Sequence, residues 1–356
     1  MACETMQLAE YIVAGSRGLL NDSAVLNMAQ EALLDGAYSH VIELDDIERT
    51  AYLHPGIAPI SAALAAYSIN PAVSEEDFLR AIVVGYEVGI RVGRAVNPSH
   101  YRLWHTSGTA GAFAAAAASA VILGLTVEQT AWALGNAGTE AAGLWQFNPD
   151  GALTKPYHIG MAAVHGLLAA MAAQEGLTGA HRILEGDQGF LAAMSTDPRP
   201  EALVEGLGDA SPAIWGISRK RWASCRFTHP PIDAVLEARK EGAAETFERA
   251  VVETFDTAIR VAGHRDPKTP QEAKFSIAYC CALAWIKGGA AVDGFNAEQN
   301  RSDPFFEEVF SRIEVIENSR YSALMPQFMP ASIITNPRAG GSCHPMPHLY
   351  CYPLRI

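Results

Sequence analysis

Four permanent cations and a histidine are concentrated in the stretch SRKRWASCRFTH at residues 218–229. The chain as a whole has a formal net charge of −13, so its far field repels anions and an anionic ligand needs a local positive pocket. A helix that begins with prolines is predicted directly after His229, and the free N–H groups at its start favour an anion. Lys220, Arg226 and His229 are therefore predicted to bind the carboxylates of a small substrate.

Candidate acid–base groups occur in four other short segments. These are IELDDIERTAYLHPG (42–56), LWHTSGTAGA (103–112), ALTKPYHIG (152–160) and AKFSIAYCC (273–281). Histidine is suited to proton transfer at neutral pH, and burial and neighbouring cations can lower the pKa of a lysine toward neutrality. We therefore expect a proton to be removed from a carbon next to a carboxylate or carbonyl, while a second group handles the other proton. The candidates in these segments are Glu43, Asp46, His54, His105, Lys155, His158 and Tyr279.

Each of these residues also has a purely structural interpretation. The acidic residues at 43–48 can form a solvated loop, since acids are mostly exposed. His105 can be a core residue or a helix cap, and Lys155 can be a surface lysine. Tyr279 can be a core residue whose hydroxyl bonds to the backbone.

The motifs disfavour several other chemistries. The sequence has no GxGxxG after a strand, no GxxxxGK[ST] loop and no GxSxG elbow, which disfavours dinucleotide binding, NTP hydrolysis and serine hydrolase chemistry. Cys225 and His229 have the spacing of half a metal site, but the sequence offers no second half, so no metal is predicted. The acidic balance and the shortness of the basic stretch disfavour binding to nucleic acid.

The composition indicates a folded protein of a reducing compartment. The 356 residues are 49% hydrophobic and 18% charged, which provides ample apolar material for a buried core. The six cysteines show no CxxC pairing and are predicted to be reduced and buried. The start, MACETMQLAEY, has two acids and no basic n-region, so no secretory signal is predicted. We expect a cytoplasmic protein, or one of the mitochondrial matrix if the source is eukaryotic, although no transit peptide is evident.

The first two-thirds of the chain predict one helix after another. Ser74 is a cap for EEDFLRAIVVGYEVGIRVGR, and Thr126 opens a capping-box pattern for a helix that ends at Gly135. The apolar run AGAFAAAAASAVILGL (110–125) is shorter than the roughly 20 residues that span a bilayer, so it predicts a core helix and no membrane span. IGMAAVHGLLAAMAAQEG (159–176) predicts another apolar helix.

The character of the sequence changes near residue 210, where Gly, Pro and Ser precede the basic stretch. PPIDAVLEARKEG and TPQEAKFSIAYCCALAWIKGG predict helices, whereas TFDTAIRVAG, RIEVIE and PASIITN are strand-like. The end of the chain is rich in Pro, Cys and His and lacks periodicity. The predicted fold is mainly α, with a large all-helical domain at 1–218, a smaller α+β domain at 219–335 and an atypical tail at 336–356.

Six segments together resemble the MmgE/PrpD family. They are ELDD…HPG, WHTSGTAGAFAAAAASAVILGLTVEQTAWALGNAGTEAAGL, TKPYHIGMAAVHGLLAAMAAQEGLTG, ILEGDQGFL, CRFTHPPIDA and TPQEAKFSIAY, and they occur in this order along the chain. The family includes 2-methylcitrate dehydratase, cis-aconitate decarboxylase and iminodisuccinate epimerase. The chain departs from the family at Glu43, where the family often has an aspartate.

The resemblance implies a large all-helical domain, a smaller α+β lid domain, a homodimer and no metal or organic cofactor. It also implies a site in the cleft between the two domains, and a small di- or tricarboxylate as the substrate. The positions that match the family's site are the acidic loop before His54, then His54, His105, Lys155, Lys220, His229 and Tyr279.

Several functional hypotheses follow from this resemblance. In a cofactor-independent lyase of the 2-methylcitrate dehydratase type, His105 or Lys155 removes a proton alpha to a carboxylate, and Tyr279 or His54 helps the hydroxyl to leave. On the same scaffold, two bases on opposite faces would epimerise an iminodisuccinate-like dicarboxylate, and decarboxylation of cis-aconitate is a further alternative. The remaining alternative is a truncated, catalytically silent member that acts only as a binding or structural dimer.

Overall fold

The structure is a computed structural model that describes residues 23–208, 211–240, 247–337 and 348–353. The start of the chain, Cys3 and Cys343 therefore lie outside the described residues. The prediction of a mainly α fold is confirmed. The helices of the first part are α1 (Ser23–Val41), α2 (Ile57–Ile69), α3 (Glu75–Val96), α4 (Thr106–Leu123), α5 (Val127–Thr139), α6 (Lys155–Gln174) and α7 (Phe190–Met194). The 3₁₀ turns of this part are Ser99–Arg102, Trp145–Phe147, Pro200–Leu203 and Ala213–Gly216.

Helix α4 lies at the centre of this helical part. It packs against α2, α3, α5 and α6, and nearly all of its side chains are buried. Its sequence, TSGTAGAFAAAAASAVIL, is mostly alanine and other small residues, so the neighbouring helices can approach closely. Among the described residues it is the one helix long and apolar enough to cross a membrane, and 94% of it is buried inside the structure. This degree of burial is expected of a core helix, as the sequence predicted.

Local capping signals predicted two helix starts correctly. The Ser74 hydroxyl accepts a hydrogen bond from the first turn of α3, and Thr126 forms a full capping box at the start of α5. The predicted helix end at Gly135 is wrong, because α5 continues beyond it. Gly135 marks a close approach instead, since a Cβ there would lie 2.5 Å from the backbone nitrogen of Ala180.

The second part combines a four-stranded sheet with short helices. Its strands are β1 (Phe247–Thr254), β2 (Ile313–Glu317), β3 (Phe328–Pro337) and β4 (His348–Pro353), in the order β2-β1-β3-β4. β1 is parallel to β2 and antiparallel to β3, and β3 is antiparallel to β4. Its helices are α8 (His229–Lys240), α9 (Asp256–Ala262), α10 (Pro270–Lys274), α11 (Ile277–Lys287), α12 (Ala297–Ser302), α13 (Pro304–Ser311) and α14 (Ser319–Ser322), with 3₁₀ turns at Arg226–Thr228 and Val292–Gly294.

The sequence patterns predicted this second part only in part. RIEVIE and PASIITN form β2 and β3, as predicted. The strand predicted in TFDTAIRVAG is wrong, because β1 ends at Thr254 and α9 begins at Asp256. The helix predicted over TPQEAKFSIAYCCALAWIKGG is divided into α10 and α11, because the Ser276 hydroxyl caps a new helix. In the tail, β4 extends the sheet, while residues 338–347 and 354–356 lie outside the described ranges.

The helical and sheet-containing parts meet near the predicted site residues. The core of the sheet-containing part also includes Trp145 and Phe147 from the helical part. Ile47 and Ser218 form a bridge of two backbone hydrogen bonds, 3.0 and 2.8 Å long. The loop after α1 and the basic stretch are therefore joined directly.

Replacing Gly166 of α6 with alanine should destabilise the protein. A Cβ at this position would lie 2.5 Å from the nitrogen of Ala116 and 2.6 Å from the oxygen of Ala112 in α4, so the helices would have to move apart. We expect the free energy of unfolding to fall by about 1–3 kcal/mol, measured by urea denaturation. Gly216→Ala is the control, because a Cβ at Gly216 meets open space. Equal stability of the two variants would contradict the close helix contact.

Candidate active site

The centre of the site is the carboxylate of Glu43, which contacts two lysines from distant parts of the chain. Lys155 Nζ donates a hydrogen bond to its Oε1, and Lys220 Nζ donates one to its Oε2 at 2.8 Å. All three side chains are buried. Burial alone would raise the pKa of Glu43, but the two ammonium groups outweigh it and hold this pKa well below its usual value. Glu43 is therefore an ionised carboxylate held between two cations inside the protein.

Separate elements bring these three groups together. Glu43 follows the end of α1 in a left-handed backbone conformation with φ 58°, and its N–H donates to the backbone oxygen of His40 at 3.1 Å. A non-glycine residue in this conformation is held there by its surroundings, here by two ion pairs. Lys155 is the first residue of α6, and Lys220 follows the backbone bridge between Ile47 and residue 218. The acidic segment is thus a buried part of the site, and the solvated-loop interpretation does not hold for Glu43.

Asp45 forms a second buried group of contacts, with two imidazoles. Its Oδ2 lies 2.8 Å from Nδ1 of His40 and 2.7 Å from Nδ1 of His54, and its Oδ1 lies 3.7 Å from Lys220 Nζ. Burial raises the pKa of Asp45, but the imidazoles and Lys220 together hold it well below its usual value. Nδ1 of His54 faces two acceptors, this carboxylate and the backbone oxygen of Asp46 at 3.0 Å. That nitrogen therefore carries the proton, and Nε2 of His54 is left as a proton acceptor.

Four imidazole rings form a row across the site. The distances between ring centroids are 4.7 Å from His54 to His40, 6.0 Å from His40 to His105 and 5.6 Å from His105 to His158. Burial lowers the pKa of all four rings, to about 4 for His54 and His158. Neither ring nitrogen of His105 has a hydrogen-bond partner among the described residues. The rings are therefore neutral at pH 7 and can accept a proton.

Lys220 connects this centre to the other residues that were predicted to bind carboxylates. Arg226 Nη1 lies 3.4 Å from Nδ1 of His229, and both side chains are buried. Burial lowers the pKa of His229, and the nearby charges of Arg226 and Lys220 lower it further. His229 is the first residue of α8, but its N–H donates to the backbone oxygen of Arg226, and Pro230 and Pro231 have no N–H. The free N–H groups predicted at this helix start are therefore not available to an anion. The structure thus places Arg226 beside His229, and Lys220 close enough for its charge to act on His229.

Asp46 and Tyr279 have their main contacts outside this group. The side chain of Asp46 bonds to Tyr86, and burial raises its pKa to about 6. The Tyr279 hydroxyl donates to the backbone oxygen of Gly294 at 3.2 Å and accepts from Asn300 at 2.6 Å. These contacts lie in the core of the sheet-containing part and fit the structural interpretation of Tyr279. Its predicted role in proton transfer stays a prediction.

One residue of the site, His40, was not selected from the sequence. Asp45 and Lys274 lie within two of the candidate segments, but no individual role was predicted for them. Lys274 Nζ donates to two backbone carbonyls at 2.8 and 3.0 Å. Burial lowers the pKa of Lys274 to about 8. His40 occupies the last turn of α1, three residues before Glu43. A histidine about one helical turn before an acidic segment can reach its side chains, and this spacing is the sequence signal that could have identified His40.

The contacts of His40, Asp45 and His54 favour a hydrogen-bonded triad over a metal site. Each offers one ligand atom, and these atoms lie within 4.8 Å of one another. Both Nδ1 atoms, however, are already at hydrogen-bonding distance from Asp45, and Lys220 lies near the same carboxylate. A cation would have to displace both protons and sit beside an ammonium group.

The formal charges at the centre of the site cancel. Two lysines face two carboxylates, so the centre is not the net positive pocket that the sequence predicts. What the arrangement offers is a position where one carboxylate contacts two ammonium groups beside neutral imidazoles. Such a site can bind a carboxylate and move a proton close to it.

Replacing Glu43 with glutamine should destabilise the fold at neutral pH. The variant leaves two buried ammonium groups facing an uncharged amide, and removing one partner of a buried ion pair costs about 3–5 kcal/mol. The stability that Glu43 contributes is present above the ordinary pKa of a glutamate and is lost as the pH falls through its lowered pKa. Urea denaturation over a pH series should therefore show a difference between wild type and variant that shrinks in acid.

Glu76→Gln is the matched control for this experiment. Glu76 pairs with Arg80 on the surface of α3, and its side chain is 84% exposed. Exposed ion pairs contribute about 0–1 kcal/mol, so this variant should be close to wild type. Equal losses of stability in the two variants would mean that the buried contact at Glu43 contributes no more than a surface pair.

Curated relatives of this chain are cis-aconitate decarboxylases. The cis-aconitate decarboxylase-like protein oryM of Aspergillus oryzae is 34% identical over 192 residues, which cover 50% of this chain and 40% of the relative. Cis-aconitate decarboxylase of Aspergillus terreus is 32% identical over 220 residues, covering 57% and 44%. The Homo sapiens cis-aconitate decarboxylase is 31% identical over 307 residues, covering 80% and 60%. The matched part of this chain thus spans less than half the length of the two Aspergillus proteins.

Two family models match the chain over most of its length. The MmgE/PrpD N-terminal domain matches residues 3–203, and the MmgE/PrpD C-terminal domain matches residues 222–344. The first match contains Glu43, His54, His105 and Lys155, and the second contains His229. The chain therefore belongs to the MmgE/PrpD family.

Proposed function

We propose that this chain is a lyase that acts on a small di- or tricarboxylate through proton transfer by its own side chains. The observation that carries this proposal is the convergence of Lys155 and Lys220 on one buried carboxylate, next to a row of neutral imidazoles. The names of the cis-aconitate decarboxylase relatives support a lyase. The homodimer and the lid role of residues 219–335 stay predictions.

The Glu43 carboxylate shows how a substrate carboxylate would be bound. A substrate group that takes its place would receive hydrogen bonds from the ammonium groups of Lys155 and Lys220. A second substrate carboxylate would bind the side chains of Arg226 and His229. Charge-assisted hydrogen bonds from these donors would also stabilise the negative charge that develops during the reaction.

His54 is the best-positioned proton acceptor. Asp45 accepts from its Nδ1, which fixes the tautomer and leaves Nε2 as the base. His105, at the start of α4 with no hydrogen-bond partner on either nitrogen among the described residues, is a second candidate. After it has accepted a proton, either imidazole can return it to carbon, and the lysine ammonium groups are alternative donors.

Decarboxylation of a cis-aconitate-like tricarboxylate is the first candidate reaction. The bond between carbon and one carboxylate breaks, carbon dioxide leaves, and the electron pair moves into the adjacent unsaturated system. A proton from the ammonium group of Lys155 or Lys220 then binds to carbon. The site supplies two ammonium groups to hold the remaining carboxylates while this charge develops.

Dehydration of the 2-methylcitrate type is the second candidate. The neutral His54 base favours it, because dehydration begins with removal of a proton alpha to a carboxylate. The hydroxyl then leaves as water after it has received a proton, and a double bond forms. Epimerisation of an iminodisuccinate-like dicarboxylate needs the same first step, followed by return of the proton on the other face.

One set of assays separates these reactions. Carbon dioxide release from cis-aconitate detects decarboxylation, and absorbance of the new double bond detects dehydration of 2-methylcitrate. Exchange of solvent deuterium into an iminodisuccinate-like dicarboxylate without net product detects epimerisation. Absence of all three activities in the folded protein would refute the proposal and favour the catalytically silent alternative.

Lys155→Met and His54→Asn should each lower the rate of whichever reaction is found by at least about a hundredfold, since each removes a group assigned to binding or proton transfer. The steady-state rate at saturating substrate measures the effect, and circular dichroism checks folding. Lys268→Met is the matched control, because Lys268 pairs with Asp266 at the surface and its side chain is 75% exposed. Activity of the Lys155 or His54 variant close to that of the control would remove that residue from the mechanism.

Replacing His40 with phenylalanine should shift the acidic limb of the pH–rate profile to higher pH, by about one unit. His40 and His54 share one oxygen of Asp45, so without His40 this carboxylate acts more strongly on His54 and raises its pKa. The other charges facing His54 are those of Lys155 and Lys220, which the variant leaves in place. The expected result is activity that falls more at pH 5 than at pH 7.

His181→Phe is the control for this profile, because His181 pairs with Glu128 at the surface and its side chain is 56% exposed. A purely structural role of His40 would lower the rate at all pH values by the same factor. Such a uniform loss would show that His40 does not position His54 through Asp45.

A further inference from the structure

A cavity of about 690 Å³ lies between the helical part and helix α9. One wall includes Arg102, Trp145 and Gln146, and the opposite wall is formed by α9 and the residues that follow it. Arg102, Arg260 and Arg265 line this cavity together with His264, and no carboxylate is among its lining residues. It is separate from the Glu43 contacts, since none of the residues of that centre lines it.

The three arginines have no counter-ion within the described part of the chain. None of them takes part in an ion pair or a side-chain hydrogen bond there. The acids near them in the sequence have other partners: Asp150 accepts from Gln146, Asp256 from Thr257, and Asp266 from Lys268 and Arg301. Three exposed cations around one hollow create a local positive potential in a chain of net charge −13.

Trp145 is the wall between this cavity and the imidazole row. Its ring centroid lies 5.3 Å from that of His105, edge to face, and it also lines the cavity. Its indole N–H donates to the backbone oxygen of Trp104, the residue before His105, at 2.9 Å. A ligand that contacts Trp145 from the cavity therefore acts on a ring that packs directly against His105.

We propose that this arginine-lined cavity binds a small polyanion with at least two carboxylate or phosphate groups, and that Trp145 transmits its occupancy to His105. Guanidinium groups bind both kinds of anion in bidentate fashion, and the volume suits a small organic ligand. Two sources have this chemistry: the polycarboxylate substrate before it reaches the lysines, or a separate ligand that carries phosphates. The binding itself does not depend on the proposed function.

Isothermal titration calorimetry with citrate and with pyrophosphate tests the binding. We expect at least one of the two anions to bind the wild-type protein, and Arg260→Ala and Arg102→Ala each to weaken that binding about tenfold. Arg80→Ala is the control, because Arg80 lies on α3 in surface ion pairs and should leave affinity unchanged. Failure of both anions to bind, or equal affinity in all three variants, would overturn the proposal.

The choice of anion distinguishes the two sources. Preference for citrate supports a waiting position for substrate, whereas preference for pyrophosphate supports a separate phosphate-bearing ligand. Retained anion binding in a protein that turns over none of the candidate substrates would leave this site standing while the proposed function fails.

Nuclear magnetic resonance of the ¹⁵N-labelled indole groups tests the contact with Trp145. Trp145→Phe assigns its signal, and titration with the bound anion should shift that signal in wild type but not in Arg260→Ala. An unshifted Trp145 signal at saturation would show that the anion binds elsewhere and that the connection to His105 is wrong.

Discussion

The site depends on one contact, in which a single buried carboxylate is shared by two ammonium groups. Removing each of these charges from water costs several kcal/mol, and only their mutual attraction and hydrogen bonds compensate for it. Glu43, Lys155 and Lys220 come from the end of α1, the start of α6 and the basic stretch. Each partner is stable in the interior only while the others are in place, so this contact fixes three distant segments relative to one another.

Small residues in the central helices make this convergence possible. Alanine and glycine in α4 let it lie close to α6, as the fit of Gly166 against the α4 backbone shows. The N-termini of the two helices lie close together, since the ring centroids of His105 and His158 are 5.6 Å apart. His105 and Lys155 therefore lie at two neighbouring helix N-termini. Partial positive charge at these N-termini adds to the potential that holds carboxylates there. The packing of the helices and the chemistry of the site therefore follow from the same small residues.

Local features were predictable from the sequence, and long-range contacts were not. The caps at Ser74 and Thr126 depend on a few adjacent residues, and the structure confirms them. Asp256–Ala262 was misassigned because a segment of seven residues is too short for its apolar positions to distinguish a strand from a short helix. Glu43, Lys155 and Lys220 were all chosen as candidates from their residue types. The contact between them could not be predicted, because Glu43 lies 112 positions from Lys155 and 177 positions from Lys220 along the chain.

The neutral centre and the arginine-lined cavity differ in how an anion can enter them. A substrate carboxylate that reaches Lys155 and Lys220 meets cations that Glu43 already neutralises, so it can bind strongly only if it replaces that carboxylate or if Glu43 accepts a proton. In either case the net charge of the centre stays the same, and the two buried lysines are never left without a negative partner. In the cavity the arginines have no such competitor among the described residues, so an anion can bind there without displacing any group of the protein.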